Sequence, residues 1–361
     1  MDPYTTRMVK AALSAADMTG AGNWLAPYTR GRGVIFMLHH VSPEPPDEFE
    51  PNRILKVTPD FLEAVIGEVR AAGFEPVSLD DAAARLGRPA VPGERPFACF
   101  TLDDGYRDNL ENAFPVFERN DVPFAVYVAT DYADGVGDLW WLTLETVLRQ
   151  ADEVTVSMDG DYRHFPLTKA AEKYAAFERI YWWLRSLPEL RAREVVGELA
   201  RSIGYDPSGE CRRLVMNWAE IRQLADHPLV TIGAHTRRHF ALAKLSAEEA
   251  ASEIVTSVRR IEAELGRPCR HFSYPYGCRS SAGDREFRMC AEAGLVTATT
   301  TRKGLIMPRH GNSLTSLPRV SLNGDFQDLR YIRVMLSGAP FALLDAMRRA
   351  VSAPARDAST G

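Results

Sequence analysis

Phe97-Ala98-Cys99-Phe100-Thr101-Leu102-Asp103-Asp104-Gly105-Tyr106 begins as an apolar run with aromatic and β-branched members and ends on two adjacent carboxylates. Such a run fits a buried strand. Gly105 permits the sharp exit that a Cβ would hinder. Beyond it, Leu110, Phe114 and Phe117 recur at helical spacing, which predicts a helix over 106–120 and places the carboxylates at a strand-to-helix corner. Neighbouring side chains of a strand face opposite ways. Asp103 and Asp104 are therefore expected to do different jobs, one binding a metal and the other facing a bound water. The plainer alternative is an acidic pair that caps the helix, where negative charge is favourable.

The same grammar recurs on both sides. Upstream, Val34-Ile35-Phe36-Met37-Leu38 is an apolar run that ends in His39-His40. Thr58-Pro59-Asp60 opens a helix with Phe61, Leu62, Val65, Ile66 and Val69 as its buried stripe and Gly73 at its end. A brief strand is expected at Val77–Leu79, a short helix at Asp80–Leu86 and another strand at Pro123–Ala129. The order β-α-β-α-β argues for a parallel sheet with crossover helices.

Downstream the alternation lapses over 138–215. That stretch holds the Trp140-Trp141 pair, a hairpin around Asp159-Gly160 and helical sequence from Lys169 to Ser202 broken at Pro188. It reads as a mainly helical insertion. Its aromatics (Trp140, Trp141, Tyr174, Phe177, Tyr181, Trp182, Trp183) fit a sugar-stacking wall, but a small satellite core is the preferred reading.

Alternation then resumes. Strands are expected at Leu229–Gly233, Cys269–Tyr274, Leu295–Thr299 and Leu317–Leu322, with helices at Ala219–Ala225, after the Ser246–Glu249 capping box, and at Arg285–Ala293. The fold class is α/β: a deformed (β/α) barrel of about seven parallel strands, with chemistry at the C-terminal strand ends. The catalytic domain spans 31–335. It is preceded by a helical extension over 1–30, with Met8, Ala12 and Ala16 on one face, and followed by a C-terminal helix and tail over 336–361.

The 361 residues, 45% apolar and 25% charged, describe an ordinary globular protein with a sizeable core. A net charge of −5 leaves no electrostatic footprint for nucleic acid. No apolar run is long enough to predict a transmembrane helix. Residues 1–25 lack the charged-then-apolar pattern of a secretory signal. Five cysteines without CxxC spacing read as reduced thiols, and a cytoplasmic location is the expectation.

His235 and His239 are four apart, so one helical turn would put both imidazoles on one face. Two imidazoles and one carboxylate suit Zn²⁺ or a similar divalent ion with open positions for water and substrate. The pattern is not HExxH, because Thr236 stands where that motif has its glutamate.

Taken together, Thr101-Leu102-Asp103-Asp104-Gly105, His235-Thr236-Arg237-Arg238-His239 and Phe272-Ser273-Tyr274-Pro275-Tyr276-Gly277 resemble the first three motifs of the polysaccharide deacetylases, carbohydrate esterase family 4. The resemblance covers roughly Gly33 to Leu322. It implies metal-dependent removal of N-acetyl groups from amino sugars. It also implies Asp103 as catalytic base, Asp104, His235 and His239 as metal ligands, and the Tyr276 N–H as an oxyanion donor. Many members have an arginine where Ser273 stands and a late Leu-x-His that supplies the acid, but this chain has no histidine after Leu322. These departures resemble a subgroup of exopolysaccharide deacetylases with a Tyr-Pro-Tyr third motif and an early strand ending in histidine. His39 and Arg319 are the candidates for the missing acid and arginine. The expected substrate is an amino-sugar glycan or its lipid-linked precursor. The alternatives are a deformylase or deacetylase of a smaller sugar conjugate, and a non-catalytic glycan-binding member of the fold.

Overall fold

Seven stretches of the chain become seven parallel strands closed on themselves in the computed structural model, which describes residues 3–352. They are β1 (Gly33–Leu38), β2 (Phe97–Leu102), β3 (Phe124–Val128), β4 (Val230–Ala234), β5 (His271–Ser273), β6 (Thr297–Lys303) and β7 (Leu317–Ser321). Each strand pairs with the next in sequence. Pairing of Phe36 with Val320 and of Met37 with Ser321 joins β1 to β7 and completes the ring. The two-residue strand Glu75–Pro76 pairs in parallel with the start of β2. This is the expected deformed barrel.

Period-two alternation sorts the strand side chains. Val34, Phe36 and Leu38 join the large core shared with the helices, while Ile35, Cys99, Ala125, Tyr127 and Leu317 form a separate inner cluster. Val77, Leu79, Ala82 and Leu86 pack onto that inner cluster. At Gly233 the packing leaves no room for a side chain: a Cβ would lie 2.7 Å from both the His271 carbonyl and the Tyr127 ring.

Helix Pro59–Ala71 is capped by Thr58 Oγ1, which accepts the Phe61 N–H at 3.1 Å, and buries the expected five-residue stripe. Three expectations shift. The strand expected at Val77–Leu79 lies earlier, because Ser78 Oγ accepts the Asp81 N–H and starts helix Leu79–Leu86. The helix expected from residue 106 starts at Asn109 with a π turn, because Tyr106 instead bridges Val215 and the Arg107 N–H donates to the Leu214 carbonyl. On helix Pro3–Met18, Leu13 is buried, with Val9 and Ala16 against the core, while Met8 and Ala12 face solvent.

That helix packs with Ala21–Thr29 and Leu329–Leu336, and the chain continues into helix Ala339–Ser352. The tail expected beyond it lies outside the described residues. Between β3 and β4 stand helix Trp140–Gln150, the hairpin Glu153–Met158 with Asp161–Pro166, and helices Ala170–Leu184 and Glu189–Ser202. They enclose a second core in which Trp140, Trp141 and Phe177 are buried.

Candidate active site

The chain leaves β2 after Leu102, with the Asp103 N–H still donating to the Leu38 carbonyl at 2.9 Å. Asp104 and Gly105 then take left-handed backbone angles, φ +75° and +72°. Strand alternation therefore ends before the second carboxylate. Contrary to the opposite-face expectation, both carboxylates line one cleft of about 780 Å³ at the C-terminal mouth of the barrel. Thr236, His239 and Tyr276 also have positive φ. Such angles are costly for non-glycine residues and persist where the surroundings over-determine them. Here they gather at one place.

Arg319 on β7 points into the barrel and is 1% exposed. Its two terminal nitrogens donate to the two oxygens of Asp103, both at 2.7 Å. Its remaining donors reach Thr101 Oγ1 (3.0 Å), Ser273 Oγ (2.9 Å) and the Thr300 carbonyl (3.0 Å). A planar fork so satisfied fixes the carboxylate in place. Burial alone would raise the Asp103 carboxyl, but the charge and hydrogen bonds of Arg319 outweigh it and hold the group below its usual value. Ser273, noted in the sequence as the place of the absent arginine, instead accepts from the arginine that replaces it, and Thr101 and Thr300 join it as acceptors that the sequence did not point to. Small hydroxyl residues carry no spacing signal of their own.

Asp104, His235 and His239 offer ligand atoms that all lie within 4.8 Å of one another. His235 Nε2 and His239 Nε2 stand 3.4 and 3.2 Å from Asp104 Oδ1. The histidines do not share a helical turn as expected. The left-handed Thr236 and His239 make a tight loop instead, and the Arg237 and Arg238 N–H groups donate to Glu253 Oε2. His235 Nδ1 pairs with the Ser273 carbonyl at 2.6 Å, which leaves its Nε2 with a lone pair facing Asp104. Burial pushes the His239 imidazole down against the pull of Asp104, favouring the neutral form a ligand needs. Burial works to raise Asp104, yet His239 and His235 hold it well below the carboxylate range. Asp104 Oδ1 and His239 Nδ1 are buried without hydrogen-bond partners. Two imidazoles, one carboxylate and an unsatisfied oxygen between them fit a divalent cation.

His39 and His40 part company. His39 lines the cleft with Nε2 4.0 Å from Asp103 Oδ2. Burial pushes it below its ordinary value, and Asp104 and Asp103 oppose that. His40 turns away, with Nδ1 2.7 Å from Asp108 Oδ2 and its ring stacked on Tyr106 at 3.6 Å.

Tyr276 also lines the cleft, and its N–H finds no acceptor among the described residues. The insertion grips this residue from behind. Trp140 Nε1 donates to its hydroxyl at 2.9 Å, and the Arg185 guanidinium sits 3.3 Å from its ring centre. Thr301 Oγ1 donates to its carbonyl at 2.6 Å.

Known proteins resemble this chain in part of its sequence and in its fold. The family model described as polysaccharide deacetylase matches residues 165–292. The matched segment contains His235, His239 and Tyr274-Pro275-Tyr276 and stops short of Asp103-Asp104. That segment, about a third of the chain, marks it as an enzyme with a stretch similar to a polysaccharide deacetylase, a hydrolase. Among solved structures, the Streptococcus pyogenes deacetylase PplD in complex with acetate superposes with a TM-score of 0.55 at 15% identity, over 84% of this chain and 97% of that one. IcaB from Ammonifex degensii reaches 0.52 at 18% identity, over 84% and 97%. A de-N-acetylase from Aggregatibacter actinomycetemcomitans reaches 0.52 at 12%, over 83% and 98%. At these identities the likeness establishes the shared fold. A 5-methyltetrahydropteroyltriglutamate–homocysteine methyltransferase of Streptomyces avermitilis is 24% identical over 270 residues, 63% of this chain but 34% of that protein. The chain thus spans about a third of that relative, whose activity does not transfer to it.

Proposed function

We propose that the protein is a metal-dependent N-deacetylase that hydrolyses acetamido groups of an amino-sugar polysaccharide or its lipid-linked precursor during exopolysaccharide synthesis. One observation carries this reading: the Asp104–His235–His239 triangle opens into the same cleft as an Asp103 carboxylate clamped by Arg319. Bound there, a divalent ion, Zn²⁺ by its donor set, polarises a carbonyl and acidifies a water. Asp103, kept ionised by Arg319, accepts a proton from the attacking water. As the water oxygen bonds to the acetamide carbon, negative charge grows on the carbonyl oxygen, and the Tyr276 N–H on the cleft wall is the backbone donor that would hold it. When the C–N bond breaks, the amine must take a proton; His39, 4.0 Å from Asp103, donates it and recovers a proton from Asp103, which returns both groups to their starting state. The products are acetate and the free amino sugar.

The neighbours' descriptions as deacetylases, one holding acetate, support the reaction type. A cytoplasmic site of action is part of the proposal, supported by five free cysteines, four of them buried. The direct test is acetate release from N-acetylated glucosamine oligomers by metal-loaded and metal-stripped protein. Release that requires the metal supports the proposal. Tight binding of the oligomers without release, with metal present, would favour a glycan-binding role instead.

A further inference from the structure

The catalytic cleft does not end at its aromatic wall. It adjoins a second depression of about 480 Å³, and the two share Ala175, Glu178 and Trp182. Trp182 stands on the ridge between them, 60% exposed. Isolated exposed apolar residues are ordinary, but this indole is held in a definite pose beside a site. Its ring meets Tyr181 edge-on at 5.3 Å, and Tyr181 stacks on Trp140 at 5.1 Å. Trp140 in turn donates to the Tyr276 hydroxyl. A chain of ring contacts thus ties the ridge to the catalytic loop.

The floor beyond Trp182 is polar and organised. Trp183 Nε1 donates to Asp159 Oδ1 at 3.0 Å, which pins the hairpin tip against helix Ala170–Leu184. Arg163 Nε is buried without a hydrogen-bond partner, and Arg179 lies on the exposed face of that helix. The two arginines are matched by two carboxylates, Asp159 and Glu178, so the depression has no excess of either charge. A flat aromatic face flanked by planar donors and acceptors suits a pyranose, whose C–H face packs on the ring while its hydroxyls find the polar groups. The charge balance suits a neutral glycan better than a polyanion.

We propose that this outer depression is a glycan subsite supplied by the insertion, with Trp182 as its stacking platform. It binds amino-sugar units of the same chain whose acetamide lies at Asp103, so the enzyme acts on oligomers in preference to a single sugar. This rests on the deacetylase reading, because the occupant is defined by that reaction.

The experiment uses the metal-loaded protein and β-linked N-acetylglucosamine oligomers of one to six units. Acetate release gives kcat/KM at each length. Binding of the hexamer to the Asp103→Asn variant is measured by calorimetry, with and without Trp182→Ala. The wild type is expected to favour the hexamer over the dimer by roughly tenfold or more, a gain of about 1.4 kcal/mol per tenfold. In Trp182→Ala and Arg179→Ala that ratio should fall towards one through KM, while Trp182→Phe keeps much of it. Equal rates at all lengths in the wild type, or an equal loss at all lengths in Trp182→Ala, overturns the subsite and leaves the reaction standing. No release from any oligomer, together with hexamer binding that Trp182→Ala weakens, overturns the reaction and keeps the subsite. Hexamer binding indifferent to Trp182 overturns the subsite in either case.

Discussion

Replacing Arg319 with methionine removes every donor that faces Asp103 from β7 while keeping an apolar side chain in the barrel. The carboxylate would then be buried with its main cation gone. Breaking one side of a buried hydrogen-bonded ion pair destabilises by about 3–5 kcal/mol, because the surviving charge is left uncompensated. The pH dependence follows in sign. In the wild type the Asp103 carboxyl is held below its ordinary 3.8, so its contribution to stability is present above that value and is lost as pH falls through the lower folded value. Without Arg319 burial dominates and raises the carboxyl. The variant is then penalised more as pH rises from acid towards neutral, and the gap to wild type should widen over that range. The same shift moves the acidic limb of kcat/KM to higher pH. Denaturant unfolding at several pH values reads the first effect and acetate release the second. Adding Asp103→Asn should recover much of the stability lost in Arg319→Met, because the unpaired charge goes with it. A coupling energy below about 0.5 kcal/mol in that double-mutant cycle, with an unmoved acidic limb, would refute the argument that Arg319 holds Asp103 ionised.

Three further outcomes are expected. Asp103→Asn should keep its metal, read by elemental analysis, and lose turnover by roughly 10²- to 10⁴-fold as general-base contributions do; Asp104→Asn and His235→Ala should lose the metal first. His39→Ala should abolish hydrolysis of an acetamide while largely sparing an activated ester, whose leaving group needs no proton. His40→Ala should spare both reactions, because His40 faces Asp108 and Tyr106, away from the cleft. Arg185→Ala should lower kcat with little change in KM, because it frees the Tyr276 ring from a desolvated cation–π contact of about 2 kcal/mol. Recovery in Arg185→Lys would support that positioning role, whereas a fall in thermal stability alone would reduce it to packing.

Much of the barrel was legible because β1, β2 and β3 are short runs of apolar residues buried on both faces, the signature of an enclosed parallel strand. The reading was weaker where strands depart from that pattern. β6 runs Thr297–Lys303, later than the apolar segment suggested, because threonines form most of it. β5 is only three residues long, and Tyr274 beyond it is already in the loop that carries Tyr276. The motif residues could be picked from sequence by type and by their place after apolar runs. Their meeting at the C-terminal strand ends was expected, but the backbone route to it was not, because it depends on left-handed angles at Asp104, Thr236, His239 and Tyr276, none of them a glycine. In the insertion the hairpin and the two helices that follow it lie where expected, whereas helix Trp140–Gln150, around the tryptophan pair, was not foreseen. Which of its aromatics are buried and which exposed was not readable, since Trp140 in the second core and Trp182 on the surface both lie in helical sequence.

The central claim is that Asp104, His235 and His239 hold the metal on which deacetylation depends. Its most direct test is to titrate metal-stripped protein with Zn²⁺ and follow bound metal and acetate release together, in the wild type and in His239→Ala. The account predicts that release rises in proportion to bound metal, saturates at one ion per chain, and that His239→Ala fails to take up the ion at the same concentrations. Full activity in the stripped protein, or stoichiometric Zn²⁺ in His239→Ala with undiminished turnover, would contradict it.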